Sequence, residues 1–248
     1  MKSFGLTDKG KGRADNQDSY VLELVPGKND LIAVLCDGMG GAKAGGLASQ
    51  MSIRSFVSRV YEALRDGNDK TVDFRRLLLD ACREANSGTY EFSRFSEDYK
   101  GMGTTLVGGV IRANGSAYFL NVGDSRAYLL SPRKGGIRQI TRDHSLVAEL
   151  MRFGAITPEE AKAHPQRNVI TRALGTEPTV DADFYELKLK ARELLLLCSD
   201  GLSNMLTDEE ILAEAKAHPD PEILCRRLVE LTLQRGARDN VTVLAVRK

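Results

Sequence analysis

The chain has 248 residues, of which 42% are hydrophobic, enough to bury a sizeable core at a length that suits one large domain or two smaller ones. Its 35 Lys and Arg balance 34 Asp and Glu to a formal charge of +1, so no global field draws it to nucleic acid, anionic lipid or a basic partner, and any electrostatics that matter must be local. No apolar run approaches the ~18 residues of a membrane span, and MKSFGLTDKG has no hydrophobic signal region behind its lysine, which makes the cytoplasm the expected location.

In chain order, VLEL (21–24) reads as a weak strand and LIAVLC (31–36) as a strong one, followed by helical periodicity over about 46–64 and 72–95. Strands are then expected at TTLVGGVI (104–111), AYFLNV (117–122) and RAYLL (126–130). Their connections ANGS (113–116) and GDS (123–125) are far too short for a parallel crossover and predict antiparallel hairpins. Short helices at about 145–153 and 158–163 lie in the stretch 143–180, where Pro158, Pro165 and Pro178 mark a surface excursion of the kind that often carries function. Two more strands, FYELKL (184–189) and LLLLC (194–198), lead to helices at 208–217 and 220–235 and a last strand, VTVLAV (241–246). Thr207 stands three residues before Glu210, the spacing of a capping box. With one helix pair near each end and hairpins between, the order fits a layered α+β domain better than an alternating Rossmann type. No repeat, low-complexity segment or linker divides it, so a single domain over 1–248 is expected.

The four cysteines, Cys36, Cys82, Cys198 and Cys225, are widely spaced without a CxxC pair, which reads as buried reduced thiols rather than a zinc site or a disulfide framework.

The aspartates are distributed differently. Asp18 precedes VLEL, Asp37 follows LIAVLC, Asp124 lies between two strands, Asp200 follows LLLLC and Asp239 precedes VTVLAV. Where strands pair antiparallel, the end of one is level with the start of the next, so all five can share one rim. Singly, the Asp-Gly pairs at 37–38 and 200–201 are ordinary turn signals. Together, carboxylates about 4 Å apart repel by roughly 4 kcal/mol at an effective dielectric near 20, and something cationic should neutralise them. Arg126 and Arg238 stand near two of them. Oxygen ligands without a convergent His or Cys set also suit the hard ions Mg2+, Mn2+ or Ca2+. The ligands come from distant segments rather than one loop, which excludes an EF-hand and suggests a catalytic centre, with two ions able to activate a water for in-line displacement at phosphorus. A nucleotide cradle in the glycine-rich stretch after Asp37 is disfavoured, because GxxxxGK[ST] is lacking and Lys43 is misplaced for it.

With those residues assembled, the sequence resembles the metal-dependent protein serine/threonine phosphatases, the PPM or type 2C family, in its compact bacterial form. The resemblance rests on eight motifs in order: GKGRADNQDS (10–19), LCDGMGGAKAGG (35–46), GMGTTL (101–106), NVGDSRAYLL (121–130), TRDHS (141–145), HPQRNVITRALG (164–175), LLLLCSDGLSNML (194–206) and ARDNVTVL (237–244). It implies a four-layer αββα sandwich, two central, mainly antiparallel sheets flanked by pairs of helices, with two Mn2+ or Mg2+ ions at one end. By the same resemblance Asp37 bridges the ions, the carbonyl of Gly38 binds one, Asp200 and Asp239 bind the other, and Asp18 acts through coordinated water. Asp124, with Asp200, is similar to the holder of a weaker third ion. Arg13 matches the phosphate-binding arginine, whose planar guanidinium grips two oxygens as a lysine cannot. The segment 145–165 corresponds to a flap bordering the site.

Two positions depart from many eukaryotic relatives. Met39 replaces a histidine proposed as general acid, and Gln17 replaces an acidic residue. Met39 leaves the proton donor unassigned, with a coordinated water as the candidate. His144 is expected to be structural, beside Asp143 and a Ser145 that can cap the next helix, while His164 and His218 each precede proline and read as loop residues. The resemblance implies hydrolysis of phosphoserine or phosphothreonine in proteins by a metal-activated water, without a phosphoenzyme. It also implies a monomer that reverses a Ser/Thr protein kinase, while the balanced charge and the lack of a long apolar run predict no nucleic-acid or membrane partner. The rivals are a non-catalytic phosphoprotein-binding relative and a regulatory phosphatase dedicated to one partner, such as a sigma-factor control protein.

Overall fold

The computed structural model describes residues 1–41, 44–66 and 72–248; Lys43, weighed above as a phosphate-loop lysine, lies outside them. The chain runs β1 (Lys2–Asp8), β2 (Asp18–Leu24), β3 (Leu31–Met39), α1 (Ala44–Asp66), α2 (Phe74–Ser93), a short 3-10 turn (Glu97–Tyr99), β4 (Gly103–Thr104), β5 (Leu106–Ile111), β6 (Ser116–Val122), β7 (Arg126–Ser131) and β8 (Gly136–Gln139). It continues through α3 (Leu146–Arg152), α4 (Pro158–Ala163), β9 (Asp183–Lys188), β10 (Leu194–Cys198), α5 (Asp200–Ser203), α6 (Asp208–Ala217), α7 (Pro221–Gln234) and β11 (Val241–Arg247).

The strands form two sheets, one in the order β1-β11-β10-β7-β8 and the other β2-β3-β5-β6-β9 with β4 appended to β3. Every pairing is antiparallel. The sheets pack face to face through Leu31, Leu35, Val107, Phe119, Leu195, Leu197 and Leu244. The alternate residues of the same strands face outward onto helices. Ile32, Val34 and Cys36 meet Phe56, Val60 and Leu78 of α1 and α2, while Leu196, Cys198 and Val243 meet Ile211, Leu224 and Leu228 of α6 and α7. Burial on both faces is why LIAVLC and LLLLC read as continuous apolar runs instead of alternating ones. All four cysteines are buried free thiols, as the spacing predicts.

Each expected strand and helix is present, and the capping box at Thr207 forms with Glu210. Four elements were not expected, the 3-10 turn at Glu97–Tyr99 among them. β1 is masked by Gly5, Ser3 and Thr7, yet pairs along its whole length with β11. Gly5 is required there, since a Cβ would stand 2.7 Å from the Tyr20 ring and 2.6 Å from Leu244. β8 is a short edge strand on β7, and α5 is a single turn.

Two expectations fail. The GDS connection does not close a hairpin: β6 and β7 belong to opposite sheets, and the chain crosses between them at Gly123, whose φ of 103° side chains rarely adopt. A strand that changes sheets needs such a bend. Neither Asp-Gly pair is a turn. Asp37 and Gly38 lie within β3, which runs on to pair Met39 with Gly103, and Asp200 and Gly201 open α5.

Candidate active site

The rim where β2, β3, β10 and β11 come level gathers the five aspartates. Asp18 opens β2 directly opposite Asp37 in the ladder. Asp124 sits in the sheet-crossing loop, Asp200 is the first residue of α5 behind β10, and Asp239 stands two residues ahead of β11. The packing of two sheets therefore brings together residues up to 221 positions apart (239 − 18). Gly38 keeps the β3–α1 junction tight: a Cβ there would lie 2.1 Å from the Gly45 carbonyl oxygen and 2.7 Å from that of Gln17.

Each support is specific. The Asp37 N–H donates to Thr105 Oγ1 at 3.0 Å, and Thr104 Oγ1 donates to the Asp37 carbonyl at 2.8 Å. Asp18 Oδ2 accepts from Ser199 at 2.8 Å and from Thr242 at 2.6 Å. Asn240 ties the loop that carries Arg13 to β11, accepting the Gln17 N–H at 2.8 Å and donating to the carbonyls of Lys9 at 2.8 Å and Asp15 at 3.0 Å. Thr105, Ser199, Asn240 and Thr242 were missed from sequence. Ser199 in CSDG and Asn240 and Thr242 in RDNVT stand beside aspartates in sequence, which was the available signal; Thr105 in TTL has no aspartate near it and gave none.

The electrostatics follow from crowding. Burial, followed by Asp18, Asp200, Asp124 and Asp239, pushes the Asp37 carboxyl well above its ordinary range. Asp200 is raised to about 8, by burial first and then by Asp124. Asp18 and Asp124 rise to about 6, chiefly through burial, with the Thr242 and Ser199 hydroxyls holding Asp18 down. As whole residues Asp37, Asp124, Asp200 and Asp239 are half-buried, at the edge of the core. Among the described residues no three His, Cys, Asp or Glu side chains close into an ion-holding cage.

The cations divide differently from expectation. Arg126 forks onto Asp143, with Nε at 3.0 Å from each oxygen and Nη2 at 2.7 Å from Oδ2, and acts on Asp124 only through its charge. Arg238 is exposed. Arg13 is the cation at the cluster, its Nη2 2.7 Å from Asp239 Oδ2. His144 is structural, as expected. Its Nδ1 accepts the Gly123 N–H at 3.1 Å, and burial and Arg172 lower its pKa, so Nε2–H is left to face Asp183. Ser145 caps α3, and the His144 N–H donates to the Gly123 carbonyl at 3.0 Å, so the 145–165 segment starts beside the Asp124 loop. His164 and His218 are C-caps of α4 and α6.

The donor set fits a hard cation. It is all oxygen, its burial calls for compensating positive charge, and one buried atom, Asp18 Oδ1, has no hydrogen-bond partner. The fold and site thus define a sandwich with an oxygen-lined, cation-seeking rim. The protein phosphatase 2C family model matches residues 10–231. The protein phosphatase PhpP of Streptococcus pneumoniae is 38% identical over 242 residues, covering 97% of this chain and 95% of that one. Serine/threonine phosphatase Stp1 from Staphylococcus aureus superposes with a TM-score of 0.90 at 36% identity, covering 100% of this chain and 95% of that one. The catalytic domain of the phosphatase PstP, solved with two manganese ions, superposes at 0.83 with 35% identity, covering 98% of this chain and 96% of that one. The chain belongs to the protein phosphatase 2C family.

Proposed function

We propose that this chain is an enzyme that hydrolyses phosphoserine and phosphothreonine esters in proteins at the carboxylate rim, with residues 1–248 forming one catalytic domain. The observation that carries this is the convergence of five buried or half-buried carboxylates with Arg13 at their open side. Asp37, the Gly38 carbonyl, Asp200 and Asp239 would hold two Mn2+ or Mg2+ ions, with Asp37 shared between them; Asp18 would support them from the outer shell, and Asp124 with Asp200 would take a weaker third. Bound there, the ions supply positive charge that lowers the pKa of a water and offsets charge developing at phosphorus.

The chain's own groups do the rest. Arg13 exchanges its bond to Asp239 for two phosphate oxygens, a bidentate grip that orients phosphorus in line with the attacking water. Thr104 and Thr105 fix the Asp37 backbone, so the carboxylate is presented without reorganisation. Met39 carries no transferable proton, so the departing serine or threonine oxygen takes its proton from water. The 145–165 segment borders the site and biases which phosphoproteins enter. The substrates are phosphoproteins in the cytoplasm, including a Ser/Thr protein kinase and its targets, and the chain acts as a monomer in signalling.

A phosphopeptide panel assayed with Mn2+, Mg2+ and EDTA tests this, with release of inorganic phosphate only in the metal arms as the expected result. EDTA-resistant turnover or a trapped phosphoenzyme would overturn it.

A further inference from the structure

The carboxylate of Asp18 is gripped on one side only. Ser199 Oγ and Thr242 Oγ1 both donate to Oδ2, at 2.8 and 2.6 Å, whereas Oδ1, equally enclosed, has no hydrogen-bond partner. Asp18 is 8% exposed, and both hydroxyl residues are fully buried at 0%. Oδ1 belongs to the carboxyl that lies against Asp37, its direct partner in the β2–β3 ladder.

Donor counting fixes the direction of the hydroxyl chain. Each hydroxyl has one proton. Thr242 gives its proton to Asp18, so in the 2.7 Å contact with Thr7 it accepts, and Thr7 in turn accepts from Asn16 Nδ2 at 2.9 Å. Ser199 likewise gives its proton to Asp18 while its Oγ accepts the Thr242 N–H at 3.0 Å. Its own N–H donates to the Thr242 carbonyl at 3.1 Å, so both hydroxyls are held rigidly by the β10–β11 side of the rim while Asp18 belongs to the opposite sheet.

We propose that Ser199 and Thr242 are positioning residues that hold Asp18 by Oδ2, aim Oδ1 into the centre shared with Asp37, and thereby set the cation affinity of the site. The inference rests on the metal-dependent reading above. A purely structural pair would satisfy a buried carboxylate with no preference for which oxygen is left open. A positioning pair leaves open the oxygen that a hydrated cation needs, and outer-shell partners of this kind change metal affinity by about 10–100-fold.

The test titrates Mn2+ calorimetrically into the EDTA-stripped full chain. Thr242→Val and Ser199→Ala are each expected to weaken Mn2+ binding by about 10–100-fold, and Thr242→Ser, which keeps the hydroxyl, to retain wild-type affinity. Because the hydroxyls act through Asp18, adding Thr242→Val to Asp18→Asn should change affinity little, whereas a general packing defect would add in full. The clamp is overturned if both hydroxyl deletions bind Mn2+ as wild type does, or if the Thr242→Val loss is undiminished beside Asp18→Asn. Should Thr242→Val not fold, the same cycle with Ser199→Ala decides. Wild-type protein that binds no Mn2+ yet turns over phosphopeptide in EDTA overturns the metal-dependent reading and the clamp with it, while unaltered variants of a metal-dependent wild type overturn the clamp alone.

Discussion

Asp37, a proposed metal ligand, burdens the fold that carries it. Its carboxyl is pushed well above the ordinary range by burial and four like-charged neighbours, so the metal-free fold must keep it protonated or bear its charge uncompensated. Asp37→Asn removes that penalty while retaining shape. The variant should therefore unfold at a higher temperature than wild type in EDTA, where each 1 kcal/mol gained moves the Tm of a domain this size by about 2–4 °C. Its turnover with Mn2+ should fall by more than about a hundredfold, since outer-shell losses alone reach that range. A stabilised variant with wild-type kcat/KM would contradict the assignment. At Arg13 the pair with Asp239 is largely exposed, at 55% and 35%, and contributes little to stability. Its value lies in forked geometry, so Arg13→Lys, charge intact, should lower kcat/KM by about tenfold or more with no change in Tm, as steady-state kinetics and a thermal melt would show.

At the scale of elements, the sheet-crossing loop and the helical layers make opposite predictions. Gly123 holds a φ of 103°, and a Cβ there would stand 2.5 Å from Thr105 Cγ2, so Gly123→Ala strains the crossing and displaces both Asp124 and the hydroxyl beneath Asp37. A cost of about 1–3 kcal/mol in urea unfolding is expected, together with weakened Mn2+ binding. Leu228 of α7 is fully buried in the layer over the other sheet, among Leu224, Val243 and Ala245. Leu228→Ala should cost about 2–5 kcal/mol through the cavity it leaves, yet leave kcat of the folded enzyme unchanged, because that layer contributes none of the proposed ligands. Denaturant midpoints and kinetics on the same samples separate the two behaviours.

For the whole molecule, stability and cation binding are linked through pH. Asp200 is raised to about 8 and Asp18 and Asp124 to about 6, above the ordinary 3.8. Between those limits these groups bind more protons in the folded metal-free chain than in the unfolded one, so their contribution to stability is fully present below about pH 4 and is lost as pH rises toward 8. EDTA-treated protein should therefore melt lower at pH 8 than at pH 5.5 as far as these groups govern it. Saturating Mn2+ should narrow or reverse that difference, because protons and cation compete for the same oxygens. Melting curves at the two pH values, with and without metal, check the sign.

The strongly apolar runs and long helical periods were legible in the sequence because burial on both faces leaves no polar alternation to obscure them. The eight motifs likewise pointed to the family and to the five aspartates. β1 was hidden because its fitness as a strand comes from Gly5 admitting the Tyr20 ring, a contact made by another strand. The GDS connection misled because its length permits a hairpin, and only the packing of two separate sheets makes it a crossing. The same holds for Arg126, whose neighbour in sequence is Asp124 but whose partner in space is Asp143. Composition and spacing thus determined which residues carry charge and which runs must be buried, since those are properties of local chemistry. Which oxygen of Asp18 is held and which is left open was decided only by tertiary structure, because one donor, Thr242, lies on β11 of the opposite sheet and the other, Ser199, just past the end of its neighbour β10.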